Sequence, residues 1–453
     1  MNQGPVLTAS DSIDRLIGGD YPDPAGGAPL GVPTRAVVIA DSLAGAEDSL
    51  VSGLDLGARL AVVCDPTTRA VLGERVCRAL ASVAKLDSIT LPERPHADMP
   101  MVDAIREASR CADALIAVGS GTINDLCKYA AYRDGKPYAV FATAPSMNGY
   151  TSVNAAITER GMKKSLPAVA PAGVFMDLTV LAAAPPRMIR SGLGDSLCRP
   201  TAQFDWLLAH LLFDQPYSEL PFALLADDEP ALFAEADSLI AGDLAAMARL
   251  ARSLVLSGFG MTLCGGSYPA SQGEHLISHT IDMLGRGLPE SFHGEQIGVT
   301  TLTMARLHEE LLDRRSLRVA ASSVGRGRLL EHFGACLGED CWTEFGRKRL
   351  DGAAAERLND RLAGWPQIAE RLASVALPAN LLQGVLVRAG APLGPEQLGW
   401  PDALYADAVA HARFIRNRYT ALDLAGDAGL LDGFVARLYR SDPVTQQVAG
   451  NSG

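Results

Sequence analysis

The run Ala114-Leu-Ile-Ala-Val118 is apolar throughout and passes directly into Gly-Ser-Gly-Thr-Ile-Asn-Asp125, and no other stretch constrains the fold so tightly. Five apolar residues in a row read as a strand covered on both faces, the situation of an interior strand in a parallel sheet. The two glycines permit a tight turn, and a helix opens behind them. The surroundings repeat the pattern. Segments 35–40 and 60–64 are short, Val-rich and of strand length. From Thr67, Val71, Leu72, Val76, Leu80 and Val83 recur at helical spacing, and strands are expected again at 86–91 and 138–142. Strands separated by helices predict a parallel sheet with crossover helices.

After about residue 190 the pattern changes. Segments 201–214, 229–258, 270–285, 296–313, 317–333, 353–376 and 402–424 carry apolar residues three and four apart, with almost no strand alternation. Pro-Ala-Gly at 171–173 and Pro185-Pro186 are breaks ahead of this region. A chain of 453 residues exceeds one ordinary core. The expected organisation is an extension at 1–34, a Rossmann-like sheet domain at 35–188, an all-helical domain at 189–440 and a tail at 441–453. The site is expected in the cleft between the two domains.

Composition excludes several alternatives. The net charge is −12 with Lys and Arg scattered, so no basic face is concentrated enough to collect nucleic-acid phosphates. The start, MNQGPVLTASDSIDRL, has neither the basic nor the apolar region of a signal peptide. The longest apolar stretch, 244–264, is interrupted by Arg249 and Arg252 and predicts a buried helix, not a membrane span. Eight dispersed cysteines form no disulfide framework, and Cys336 and Cys341 lack the second pair that a zinc site requires. A cytoplasmic location is expected.

Two groups of residues carry chemistry. Gly119, Ser120, Gly121 and Thr122 lie between a strand and a helix N-terminus, where backbone N–H groups and the helix dipole favour a pyrophosphate. The run is not G-x-G-x-x-G, and a plain tight turn is the alternative. Asp65 follows the 60–64 strand and could bond a ribose hydroxyl while repelling a 2′-phosphate, or it could cap the helix beginning near Thr67. The strand at 138–142 ends in Thr143 and Ser146.

In the helical half, Gly273-Glu-His-Leu-Ile-Ser-His279 sets His275 and His279 one turn apart. His293 follows in Phe292-His-Gly-Glu295, and Asp195 ends Ser191-Gly-Leu-Gly-Asp195 on a glycine-rich entry to a helix. Hydrogen-bonded helix histidines are the plain alternative. One carboxylate with two imidazoles is the pattern of a catalytic metal that keeps positions open for substrate. His279 could orient substrate or relay a proton, and Glu295 could support His293. His210, His308 and His411 are expected to be structural, without partners.

The runs GSGTINDLCKY, ATAPSMNGYTS, SGLGDSLCR, GEHLISH, FHGEQIGV and RYTALD, in this order over roughly 35–430, resemble bacterial sn-glycerol-1-phosphate dehydrogenases. These belong to the iron-containing alcohol dehydrogenase and dehydroquinate synthase superfamily. The resemblance implies NAD(P) on Gly119, Ser120, Gly121, Asp125, Thr143 and Ser146, and a zinc, nickel or iron ion on Asp195, His275 and His293. It implies interconversion of dihydroxyacetone phosphate and sn-glycerol 1-phosphate, with NAD(H) preferred because of Asp65 and NADP(H) possible. The expected partners are a small phosphorylated substrate and a second copy of the chain. Three positions depart from the family pattern. Asn148 stands where an Asp is usual, Arg199-Pro200 where Lys-Tyr is usual, and Tyr268 where an Arg is common. Asn148 and His279 are the candidate catalytic residues, and Lys163, Lys164, Arg190 and Arg199 are candidate cations for the phosphate. A different polyol, or a sugar-phosphate cyclase using NAD transiently, is the alternative activity.

Overall fold

The computed structural model describes residues 12–159 and 162–438; the expected tail at 441–453 lies outside the described residues. Six parallel strands form one sheet: β1 (Ala36–Ala40), β2 (Arg59–Cys64), β3 (Lys85–Thr90), β4 (Ala114–Gly119), β5 (Tyr138–Ala142) and β8 (Gly173–Asp177), in the order β1-β8-β5-β4-β2-β3. β4 is buried at every position, as its unbroken apolar run requires, and the edge strand β3 alternates with solvent. The register sets Gly119 beside Ala142 and Val63 beside Ala117. The carboxyl ends of β2, β4 and β5 therefore lie side by side, the place where open α/β sheets bind ligands.

Three strands had no clear signal in the sequence. β6 (Asn154–Glu159) and β7 (Met162–Pro167) form a separate antiparallel hairpin, and the supposed break at 171–173 leads directly into β8. After Asp177 no strand follows among the described residues.

The N-terminal segment is not a loose extension. Its helix, α1 (Ser12–Gly18), sends Ile13 and Leu16 into the principal core. Four further helices matter here: α2 (Gly121–Asp134), α3 (Pro186–Leu197), α4 (Arg199–Phe213) and α5 (Leu244–Leu263). They are followed by α6 (Gly273–Leu284), α7 (His293–Leu312), α8 (Asp402–His411) and α9 (Ala421–Asp427). α5 has the length and hydropathy to cross a membrane, but 72% of that window is buried inside the protein, which marks a core helix. The helix expected at 317–333 begins only at Arg326.

One apolar core joins the sheet to α1, α3 and α5; a second gathers α4, α6, α8 and α9. α6 places Leu276, Ile277 and Ile281 in the second core, each side chain contributing about 1.5–3 kcal/mol by burial. Asp195, on α3, and His275, on α6, thus come from different cores and meet at their seam.

The glycines before Asp195 do not open a helix, as expected from sequence; they lie inside α3. Their purpose is close approach. A Cβ on Gly194 would run into the carbonyl oxygen of Gly294, and one on Gly294 into that of Ser191. Ser191 Oγ donates to the Ser146 carbonyl and accepts the Gly294 N–H, both at 3.0 Å. A single hydroxyl thereby ties the loop after β5 to α3 and α7.

Candidate functional site

A cleft of about 1150 Å³, counting its open mouth, lies where the carboxyl ends of the strands face α3, α6 and α7. Asp195, His275 and His293 share its wall with Ser120, Gly121, Thr122, Asp125, Ser146 and Asn148. Two motifs that begin more than 70 residues apart in sequence therefore open on one space.

Asp195 sits in the last turn of α3. Its Oδ2 accepts the Asn148 N–H at 2.7 Å, whereas Oδ1 is buried without a hydrogen bond. Oδ1 lies 3.8 Å from His275 Nε2 and 3.9 Å from His293 Nε2. These separations are too long for hydrogen bonds and suit ligands sharing one ion at about 2.1 Å. All three donor atoms lie within 4.8 Å of one another. A buried carboxylate oxygen facing two imidazole nitrogens fits a borderline divalent cation.

The surrounding charges suit these side chains to ligation. Glu274 Oε1 is 2.9 Å from His275 Nδ1, so the proton belongs on Nδ1 and the Nε2 lone pair faces Asp195. Burial pushes the Glu274 carboxyl up, but the hydrogen bond and charge of His275, together with backbone N–H bonds from Gln272 and Glu274, hold the group below its usual range. Burial, followed by the charge of Lys163, holds His293 well below an ordinary histidine, in the neutral form that a metal ligand needs.

His279 lies one turn beyond His275, its ring centroid 5.9 Å from that of His275 and 6.1 Å from that of His293. Arg416 Nη2 reaches its Nδ1 at 3.1 Å. Arginine only donates, so Nδ1 accepts and the ring proton is on Nε2. Burial, then the charges of Arg416 and Lys163, hold His279 well below the usual range. It is a neutral donor at pH 7.

On the sheet side, Ser120 precedes α2 and Gly121 begins it. A Cβ on Gly119 would strike Ile123, and one on Gly121 would press Met147 at 3.0 Å. Asp125 accepts the Ala156 N–H at 3.0 Å, anchoring the β6–β7 hairpin while it lines the cleft. Thr143 is buried and donates its N–H to Gly119 at 3.1 Å, outside the lining. Asp65 also stays outside the lining: its Oδ1 accepts the Thr68 N–H at 2.7 Å in a capping box.

Several expected roles are not met. Glu295 does not support His293; it binds Arg187 at 2.7 and 2.8 Å and caps α7 through the Phe292 N–H. Arg199 pairs with Glu229, and Arg190 donates to the Ala389 carbonyl at 2.8 Å, so neither reaches the cleft. Lys163 and Lys164 do line it. The histidines expected to be alone have partners. His308 lies 3.2 Å from Asp205 and stacks on Phe204, His210 bonds the Gln215 carbonyl, and His411 stacks on His332 beside Asp407. Sequence reasoning missed Glu274 and Arg416. The Glu-His pairing at 274–275 was a usable signal; nothing local announces that Arg416 reaches His279.

The sequence pattern described as iron-containing alcohol dehydrogenase matches residues 38–185. The chain is 28% identical to the glycerol-1-phosphate dehydrogenase [NAD(P)+] of Bacillus licheniformis, over 84% of this chain and 85% of that one. It is 34% identical to the protein of the same name from Thermococcus kodakarensis, over 60% of this chain and 78% of that one. Among solved structures, an iron-containing alcohol dehydrogenase from Thermococcus thioreducens superposes with a TM-score of 0.61 at 14% identity, covering 91% of this chain and 99% of that one. A sulfoacetaldehyde reductase from Bifidobacterium kashiwanohense, in complex with NAD+, gives 0.59 at 17% identity, covering 91% and 98%. These two likenesses concern the fold.

Proposed function

The chain belongs to the glycerol-1-phosphate dehydrogenase family, and on that premise we propose that it interconverts dihydroxyacetone phosphate and sn-glycerol 1-phosphate with NAD(P)(H) and one divalent metal ion. The observation that carries this reading is the shared cleft. The Ser120–Thr122 loop and the Asp195, His275 and His293 set line one space, so a hydride donor and a polarised ketone can meet.

Asp195, His275 and His293 would hold the ion, which acts as a Lewis acid toward the substrate oxygen. The chain's own contributions are distinct. Asn148 fixes Asp195 through its backbone N–H, and its side-chain amide lies 3.4 Å from the Asp195 carbonyl. Glu274 fixes the His275 tautomer. His279, neutral and protonated on Nε2, serves as a hydrogen-bond donor to substrate and not as a base. Ser120, Gly121 and Thr122 receive the pyrophosphate at the start of α2. A bound nicotinamide would supply the hydride that reduces the ketone carbon, and a proton from solvent would complete the alcohol.

Zinc or nickel is the proposed ion, from the mixed nitrogen and oxygen ligand set, with iron the third choice. NAD(H) is proposed over NADP(H): Asp65 follows β2, and only its Oδ1 takes the capping bond, which leaves Oδ2 to bond a ribose hydroxyl and to disfavour a 2′-phosphate. A cytoplasmic homodimer completes the proposal, checked by light scattering on the purified chain. The activity is tested by following NADH oxidation with dihydroxyacetone phosphate, zinc or nickel being present, and by assigning the product's stereochemistry. Conversion to sn-glycerol 1-phosphate supports the reading. Much better reduction of unphosphorylated dihydroxyacetone would overturn the phosphate assignment.

A further inference from the structure

Inside this protein, arginines normally meet carboxylates: Arg75 pairs with Glu47 and Asp177, Arg199 with Glu229, and Arg413 with Asp423 and Asp427. Arg416 and Arg418 are different: neither makes an ion pair among the described residues. Arg416 lines the cleft, and its one hydrogen bond among those residues goes to His279 Nδ1 at 3.1 Å, whereas Arg418 donates to oxygens of Ser267 and Ser271. A guanidinium has five N–H donors in a planar fork. Arg416 is only partly exposed, and a guanidinium so placed without a counter-ion is unfavourable; a bidentate oxyanion in the cleft would relieve it. Burial accordingly pulls Arg416 below the usual arginine range, with Glu344 the one acid opposing the shift.

The neighbouring cations are already committed. Arg418 donates to Ser267 Oγ at 3.0 Å and to the Ser271 carbonyl, and it covers the Tyr268 ring at 4.5 Å. Lys163, from β7, lies 3.7 Å from Asp282 Oδ2. Tyr268, at the position where an arginine is common in the family pattern, is therefore roofed by a guanidinium from the turn after α8. Arg416, from the same segment, has a single hydrogen bond among the described residues and lies against His279 in the cleft.

We propose that Arg416 is the specificity residue of this site and receives the phosphate of the substrate. This rests on the phosphorylated-ketone reading above. His279 touches the guanidinium and has its ring centroid 5.9 Å from that of His275 and 6.1 Å from that of His293, and all four residues line one cleft, so a small substrate held there would place its phosphate at Arg416 and its carbonyl toward Asp195, His275 and His293.

The test compares wild type, Arg416→Gln and Arg416→Lys, each metal-loaded and checked for an unchanged circular-dichroism spectrum and melting point. The readout is the ratio of kcat/KM for dihydroxyacetone phosphate to that for dihydroxyacetone. Any loss acting through His279 is common to both substrates and cancels in this ratio. Arg416→Gln is expected to lower the ratio about 10- to 100-fold, the effect of one charged hydrogen-bonding group, and Arg416→Lys to restore part of it. Calorimetric titration with inorganic phosphate should weaken in parallel, and this readout needs no turnover. An unchanged ratio with unchanged phosphate binding in Arg416→Gln overturns the proposal. If wild type discriminates against dihydroxyacetone phosphate, the substrate reading fails instead; phosphate binding lost in Arg416→Gln would then still support an oxyanion site at Arg416.

Discussion

The two walls of the cleft are built by opposite means. On the sheet side, Gly119, Ser120, Gly121 and Thr122 lie within four consecutive residues, and one strand end positions them all. On the helical side, Asp195, His275, His293 and Arg416 come from α3, α6, α7 and the turn after α8. Their geometry depends on helix packing across two cores. Local structure makes a phosphate loop tolerant, because backbone N–H groups do the binding. Long-range packing makes a metal site sensitive, because a small shift of one helix misaligns a ligand.

The largest effect should come from removing a ligand. His275→Ala is expected to abolish bound metal and lower kcat/KM by about 1000-fold or more while the fold survives, read by elemental analysis, kinetics and circular dichroism. Full activity in a metal-free His275→Ala protein would end the metal assignment. Next comes the α3–α7 contact. Gly194→Ala should destabilise the protein by about 1–3 kcal/mol and weaken metal binding too, since the added methyl pushes α3 from Gly294. A matched change on the sheet side, Gly135→Ala at the left-handed end of α2, should lower stability by about 1 kcal/mol and leave metal affinity alone. Equal metal affinities in the two variants would break the contrast.

Smaller still, Glu274→Gln should weaken metal affinity about 10- to 100-fold without unfolding the chain, measured by competition with a chelator. An unchanged affinity would mean that His275 keeps its tautomer without Glu274. The smallest effect belongs to the sheet side. Asp65→Ala should cost about 1 kcal/mol as a lost cap and move cofactor preference a few-fold toward NADPH. A wild-type enzyme already more efficient with NADPH would show that Asp65 does not face the ribose.

The same contrast explains what could be read from the sequence. β2, β4 and β5 were legible because a short unbroken apolar run encodes a buried strand, and the Gly119–Thr122 turn because glycines follow such a run directly. The His275 and His279 pair was legible from helical spacing. β8 was hidden by Pro171 and Gly173, which read as a break but serve as the entry to a buried strand. The glycines of α3 read as a helix entry in sequence, because close packing against Gly294 leaves no trace in local pattern. Glu295 lost its expected role to Arg187, and Arg416 gained one from 137 residues away; both are products of tertiary packing.

One cation and one dinucleotide are proposed to share this cleft. Crystals grown with zinc and NAD(H), measured at the zinc absorption edge, test it directly. The prediction is an anomalous peak bonded to Asp195 Oδ1, His275 Nε2 and His293 Nε2, with the pyrophosphate against Ser120–Thr122. Zinc bound instead only at the His332, Asp407 and His411 cluster, or a pyrophosphate seated away from α2, would contradict it.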